Sequence, residues 1–102
     1  MIDTQRMDIS ELIRTQRETI RRIAATHGAR NVRLFGSVAR GEAGPESDVD
    51  LLVEAGPATS AWFPGGLVAD LEAVLGRRVD VVTERALAPE FRQRVLREAV
   101  PV

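Results

Sequence analysis

Residues 31–54 read NVRLFGSVARGEAGPESDVDLLVE, two β-prone runs separated by a turn-rich stretch. The first run carries Val32, Leu34 and Phe35 and stops at Gly36-Ser37. Glycine, proline and serine recur through residues 41–47, which leaves room for a helical turn and a loop but not for a regular element. The second run, residues 48–54, has an apolar part too short for a free-standing helix and is followed by the breaker pair Gly56-Pro57. Two strands are expected, the second of them opening on Asp48 and Asp50.

Those two carboxylates are poorly placed for stability, because Asp is a weak strand former and a buried charge must be paired or must bind metal. Side chains at i and i+2 of a strand share one face about 6.8 Å apart, so Asp48 and Asp50 can both reach one cluster while Val49 points away. A third carboxylate, Asp80, lies at the start of another β-prone run, VDVVT at 79–83, and joins the first pair if the two strands are neighbours. Magnesium suits such a set: it takes oxygen ligands, keeps waters, and commonly uses one or two carboxylates with the phosphates of a substrate. Two ions about 3.5–4 Å apart can activate an attacking hydroxyl and neutralise a departing phosphate, with Asp80 nearest the attacking group. Gly36 and Ser37 follow a strand and open a turn, where glycine lets the backbone approach phosphate oxygens and serine adds a hydroxyl donor. Arg40 is close enough in sequence to contact phosphate as well. The P-loop pattern is absent.

Outward from this stretch, Ile9, Leu12, Ile13, Ile20, Ile23 and Ala24 recur at helical spacing and predict one amphipathic helix over residues 9–27. Asp8 with Glu11 offers a capping pair at its start, and Gly28 a left-handed stop at its end. Leu67, Val68, Leu71, Val74 and Leu75 predict a second helix ended by Gly76. Pro89 suits the first turn of a last helix with Phe91, Val95, Leu96, Ala99 and Val100 inward, and Pro101 then closes the chain. The expected order is helix, strand, strand, helix, strand, helix: one α+β domain over residues 1–102, in two layers, with a small mixed β-sheet covered by helices.

Composition narrows the function. Fourteen arginines and no lysine face fifteen acidic residues, a net charge of -1, so no bulk positive field draws in nucleic acid, and stable nucleic-acid binding is not expected. The lack of cysteine removes thiol catalysis and zinc-thiolate sites. No apolar run reaches the length of a membrane span, and the opening MIDTQRMDIS has no signal-peptide core, so a cytoplasmic protein is expected.

Taken together, GSVARGE at 36–42, SDVDL at 47–51 and RRVDVV at 77–82 resemble the signature of the polymerase-beta-type nucleotidyltransferases, most closely the minimal nucleotidyltransferases that act as antitoxins beside HEPN-domain toxins. The resemblance implies the minimal nucleotidyltransferase fold, metal binding by Asp48, Asp50 and Asp80, and triphosphate binding at Gly36 and Ser37. It also implies magnesium as cofactor, ATP as donor, and transfer of AMP to a hydroxyl of a HEPN-type toxin that completes the site as complex partner. Transfer to a tRNA end or a small molecule, and masking of a toxin without catalysis, are the rival readings. Elsewhere, Glu42 reads as a loop or ion-pair residue and His27 as structural near a helix C-terminus. Trp62 and Phe63, in the irregular stretch 55–66, are either core anchors or partner contacts.

Overall fold

A computed structural model describes residues 8–59 and 62–102 of the chain. The signal-peptide reading of residues 1–7 and the 60–61 part of the irregular stretch lie outside the described residues. The chain runs α1 (Ile9–Thr15), α2 (Arg17–Thr26), β1 (Ala29–Phe35), α3 (Gly36–Ala39), β2 (Val49–Ala55), α4 (Gly65–Leu75), β3 (Val79–Thr83), a 3₁₀ turn (Glu84–Ala86), α5 (Pro89–Glu98) and β4 (Val100–Pro101). The sheet order is β3-β2-β1-β4, with β2 and β3 parallel and the other two pairs antiparallel. This is the small mixed sheet with helices that the sequence leads one to expect.

Four local expectations are corrected. The single helix over residues 9–27 is two helices, broken at Gln16, whose φ of -100° and ψ of 13° leave the helical basin. Every residue from Arg14 to Thr19 is polar, so no apolar side chain presses this turn onto the core. Asp8 does occupy the N-cap of α1, but its side chain makes no capping bond, and the exchange with Glu11 is not formed. Pro101 belongs to a fourth strand, pairing with Arg33 at the sheet edge, where proline's missing N–H does no harm. Phe91 is 50% exposed, so α5 fully buries only Val95 of the set expected inward, and Val100 falls in β4 rather than on the helix.

The stops are as expected. Gly28 (φ +81°) and Gly76 (φ +65°) are left-handed, and Pro89 opens α5. Asn31 also has positive φ, +52°, and sits at a register shift between Arg30 and Arg33 in the pairing of β1 with β2, a bulge that the sequence pattern conceals. Asn31 Nδ2 and Arg30 Nε both donate to the Glu54 carboxylate across the pair, at 2.8 and 3.3 Å.

The main core lies on one side of the sheet. Ile9 and Ile13 of α1, Ile20 and Ala24 of α2, and Leu67, Leu71 and Leu75 of α4 each recur three or four residues apart, and they meet Leu34, Val49, Leu51, Val53, Val79 and Val81 from the strands. Leu52 and Val95 are buried too but stand outside that cluster. On the irregular stretch, Phe63 packs against the core while Trp62 is 84% exposed, which divides a pair the sequence could not separate. Replacing Ile20, which is fully buried, by alanine is expected to cost about 3 kcal/mol, seen as a lower urea midpoint at unchanged slope.

Candidate active site

The strand pairing sets the geometry of the candidate site. In the parallel β2–β3 pair Asp50 is directly opposite Asp80, and in the antiparallel β1–β2 pair Asp50 is opposite Phe35, the residue before Gly36. Partners across a ladder share a face, so Asp50, Asp80 and Phe35 project from the side of the sheet away from the main core, with Leu52, Val82 and Arg33 further along it. Asp48, two residues before Asp50, belongs to the same face by alternation.

The carboxylates feel one another. Burial, then the charges of Asp80 and Asp48, push the Asp50 carboxyl above its ordinary range, with Arg40 opposing and Glu98 adding a little. Neither Asp50 nor Asp80 has an ion-pair partner among the described residues. Asp48 does: its Oδ1 lies 3.2 Å from Arg78 Nε, an exposed pair that water screens. Among the described residues no three carboxylate or imidazole side chains converge closely enough to hold an ion as they stand. The donor chemistry nonetheless suits magnesium, since three oxygen-bearing groups stand at the head of adjacent strands and two of them lack a counter-charge. The Asp48–Arg78 pair is a surface ion pair worth at most about 1 kcal/mol, a small cost for a competing cation to overcome.

The Gly36 turn lies against Asp50. Gly36 has φ of +80°, and a side-chain carbon placed there would stand 2.2 Å from Asp50 Oδ2. Only glycine lets the turn and the carboxylate share that space. Ser37 and Val38 follow in the four-residue α3, which buries Val38 and ends at Arg40. The Arg40 guanidinium is held between two carboxylates, Nε 2.9 Å from Glu42 Oε1 and Nη1 3.0 Å from Glu98 Oε1. Glu42 is thus an ion-pair residue, as its loop position suggests.

Sequence reasoning passed over three residues here. Glu98, from the end of α5, accepts the Gly36 N–H at 2.7 Å as well as the Arg40 bond. Arg77 Nη2 donates to the carbonyls of Ser47 (2.8 Å) and Gly44 (3.1 Å), pinning the loop that leads into Asp48. Arg78 lines, with Ser47, Asp48 and Arg77, a cavity of about 230 Å³ that neither Asp50 nor Asp80 reaches. Arg77 and Arg78 were visible only as neighbours of Asp80 in the motif, and Glu98 carried no signal because its partners are far away in sequence. His27 lies outside this group. Its Nε2 is 2.7 Å from Asp70 Oδ2, which ties the end of α2 to α4.

A glycine-serine turn packed on one of three acidic residues from two parallel strands is an arrangement with known relatives. The family model described as the nucleotidyltransferase domain matches residues 13–102. The chain belongs to this family. As a nucleotidyltransferase it is 44% identical over 75 residues to the protein adenylyltransferase MntA of Thermococcus cleftensis, covering 74% of this chain and 76% of that one. A candidate protein adenylyltransferase of Methanocaldococcus jannaschii is 42% identical over 80 residues, 78% of this chain and 86% of its own. Among solved structures, a candidate minimal nucleotidyltransferase superposes with a TM-score of 0.83 at 50% identity, covering 94% of this nucleotidyltransferase and 97% of its own chain. The mixed sheet with its helices is therefore the minimal nucleotidyltransferase fold. A chain from a toxin–antitoxin crystal structure with AMP-PNP shares that fold at 23% identity and a TM-score of 0.70, covering 82% of this chain and 69% of that one.

Proposed function

We propose that this nucleotidyltransferase is the antitoxin of a toxin–antitoxin pair and transfers AMP from ATP to a hydroxyl of its partner, a HEPN-type toxin, in the cytoplasm. The observation that carries the reading is the register of Asp50 against Asp80, with Asp48 two residues earlier, just ahead of β2. Relatives named as protein adenylyltransferases support AMP as the transferred group and protein as the acceptor. The toxin–antitoxin structure with AMP-PNP supports a toxin partner through its shared fold.

In this reading Asp48, Asp50 and Asp80 hold two magnesium ions, which supply charge neutralisation for the phosphates and a more acidic acceptor hydroxyl. Gly36 keeps the backbone clear for the triphosphate, and Ser37 donates its hydroxyl to a phosphate oxygen. Arg40, already tied to two carboxylates, lends positive charge to the rim of the turn. The acceptor oxygen bonds to the α-phosphorus as the bond from that phosphorus to the bridging oxygen breaks. Pyrophosphate departs with the electron pair, and the acceptor proton passes by way of Asp80 to water. The acceptor protein supplies the remaining wall of the site.

Incubation of the chain with labelled ATP, magnesium and the protein encoded beside it is expected to label that protein at a hydroxyl and release pyrophosphate stoichiometrically. Absence of transfer with each of the four nucleoside triphosphates would remove the reading. An unmodified toxin beside a lengthened tRNA would move the acceptor to RNA.

A further inference from the structure

Glu98 is 62 residues from Gly36 in sequence, yet its carboxylate joins two parts of the proposed nucleotide site. Oε2 accepts the Gly36 N–H and Oε1 accepts from the Arg40 guanidinium, with the side chain only 16% exposed. A carboxylate withdrawn from water must be compensated by bonds to its charged form, and these two bonds do that. Burial alone would raise its proton affinity, but the Gly36 N–H and the Arg40 bonds outweigh it and hold the carboxyl below the ordinary range.

The helix that carries Glu98 is itself fastened. Val95, one turn earlier, is buried, and Arg92 reaches Glu84, whose carboxylate takes a 2.8 Å bond from Arg33 on β1. Glu98 is therefore fixed by the helix behind it and fixes the turn ahead of it. The turn in turn bears on Asp50, since the Gly36 α-carbon leaves no room for even a methyl group before Asp50 Oδ2.

We infer that Glu98 is a positioning residue for triphosphate binding: it locks the Gly36-Ser37 turn and the Arg40 guanidinium into one preset anion-binding edge against Asp50. The inference rests on the proposed nucleotide site. Glu98 does not touch the phosphates; it acts through Gly36 and Arg40. Without it, the turn and the guanidinium each regain freedom that nucleotide binding must then remove.

Three full-length chains test this: the wild type, Glu98→Ala and Glu98→Gln. Binding of fluorescently labelled α,β-methylene-ATP with magnesium is titrated, KM and kcat for ATP are measured, and thermal melts report the folded fraction. Glu98→Ala is expected to weaken analogue binding and raise KM about tenfold, with a smaller change in kcat, since charge-assisted bonds of this kind are lost. Glu98→Gln, whose amide oxygen still accepts the Gly36 N–H, is expected to recover binding to within about threefold of wild type. Unchanged or tighter analogue binding in Glu98→Ala would overturn the inference, the latter by showing that the carboxylate competes with phosphate. A fall in kcat matched by the loss of folded protein, at constant KM, would overturn it as well. A wild type that neither binds the analogue nor transfers AMP would remove the nucleotide site itself, and is told apart from these outcomes because it does not depend on residue 98.

Discussion

Asp50→Asn is expected to lower nucleotide transfer by about a thousandfold or more while raising the melting temperature of the metal-free protein. The two effects have one cause. Asp50 sits partly buried beside Asp80 and Asp48, and its carboxyl is pushed up first by burial and then by those neighbours. A folded-state pKa above the unfolded one means that the native protein binds more protons across the window between them, so stability falls as pH rises through it. Above that window the ionised carboxylate therefore works against folding, and asparagine, of the same shape but neutral, relieves it. The gain should be largest at pH values above the raised Asp50 value and shrink as pH falls through it toward the ordinary carboxylate range, because the wild type then protonates. Glu54 and Glu98 have lowered values and oppose this trend in both proteins, losing stability in acid, so the difference between variant and wild type is the quantity to follow. Magnesium should raise the melting temperature of the wild type and leave the variant nearly unmoved. A variant that keeps a tenth of the activity, or melts lower than wild type at every pH, would show that Asp50 has another role.

Gly36→Ala is the second large effect, with Gly41→Ala as its control. Both glycines are left-handed, at φ of +80° and +74°, so each substitution carries a backbone cost of about 1–2 kcal/mol. They differ in what the new methyl group meets. At Gly41 nothing lies within 4 Å, whereas at Gly36 the carbon would be 2.2 Å from Asp50 Oδ2 and 3.1 Å from its Cγ. The far end of a side chain can swing away, so relief comes by rotating Asp50 out of its position opposite Asp80. Activity should then fall about a hundredfold, as displacements near 1 Å at a reacting centre do, while the stability losses of the two variants stay similar. Equal activities would mean that the Gly36 contact with Asp50 has no bearing on the reaction.

Much of the candidate site could be read before any coordinates, for identifiable reasons. Carboxylates that spoil a strand stand out against their apolar neighbours, and glycine at 36 marks a backbone state that few residues adopt. Gly28 and Gly76 ended their helices for the same reason. What stayed hidden depends on contacts between distant segments or on subtle backbone departures. The break at Gln16 lies within a helical period that the spacing of Ile13 and Ile20 preserves, and the bulge at Asn31 alters register without altering composition. A two-residue strand such as β4 has no period to detect. Phe91 looks inward on a helical projection, but of α5's apolar residues only Val95 is fully buried and Phe91 is 50% exposed. The pairing of Asp50 with Asp80 required the strands to be parallel neighbours, a fact of topology that β-prone runs do not encode.

The packing of the sheet separates endurance from chemistry. Resistance to unfolding resides in the layer where α1, α2 and α4 meet the strands, while the charged groups project from the reverse side. The reverse side is not idle in this respect, since Leu52 and Val95 are buried there, but its exposed charged groups carry little of the scaffold's stability.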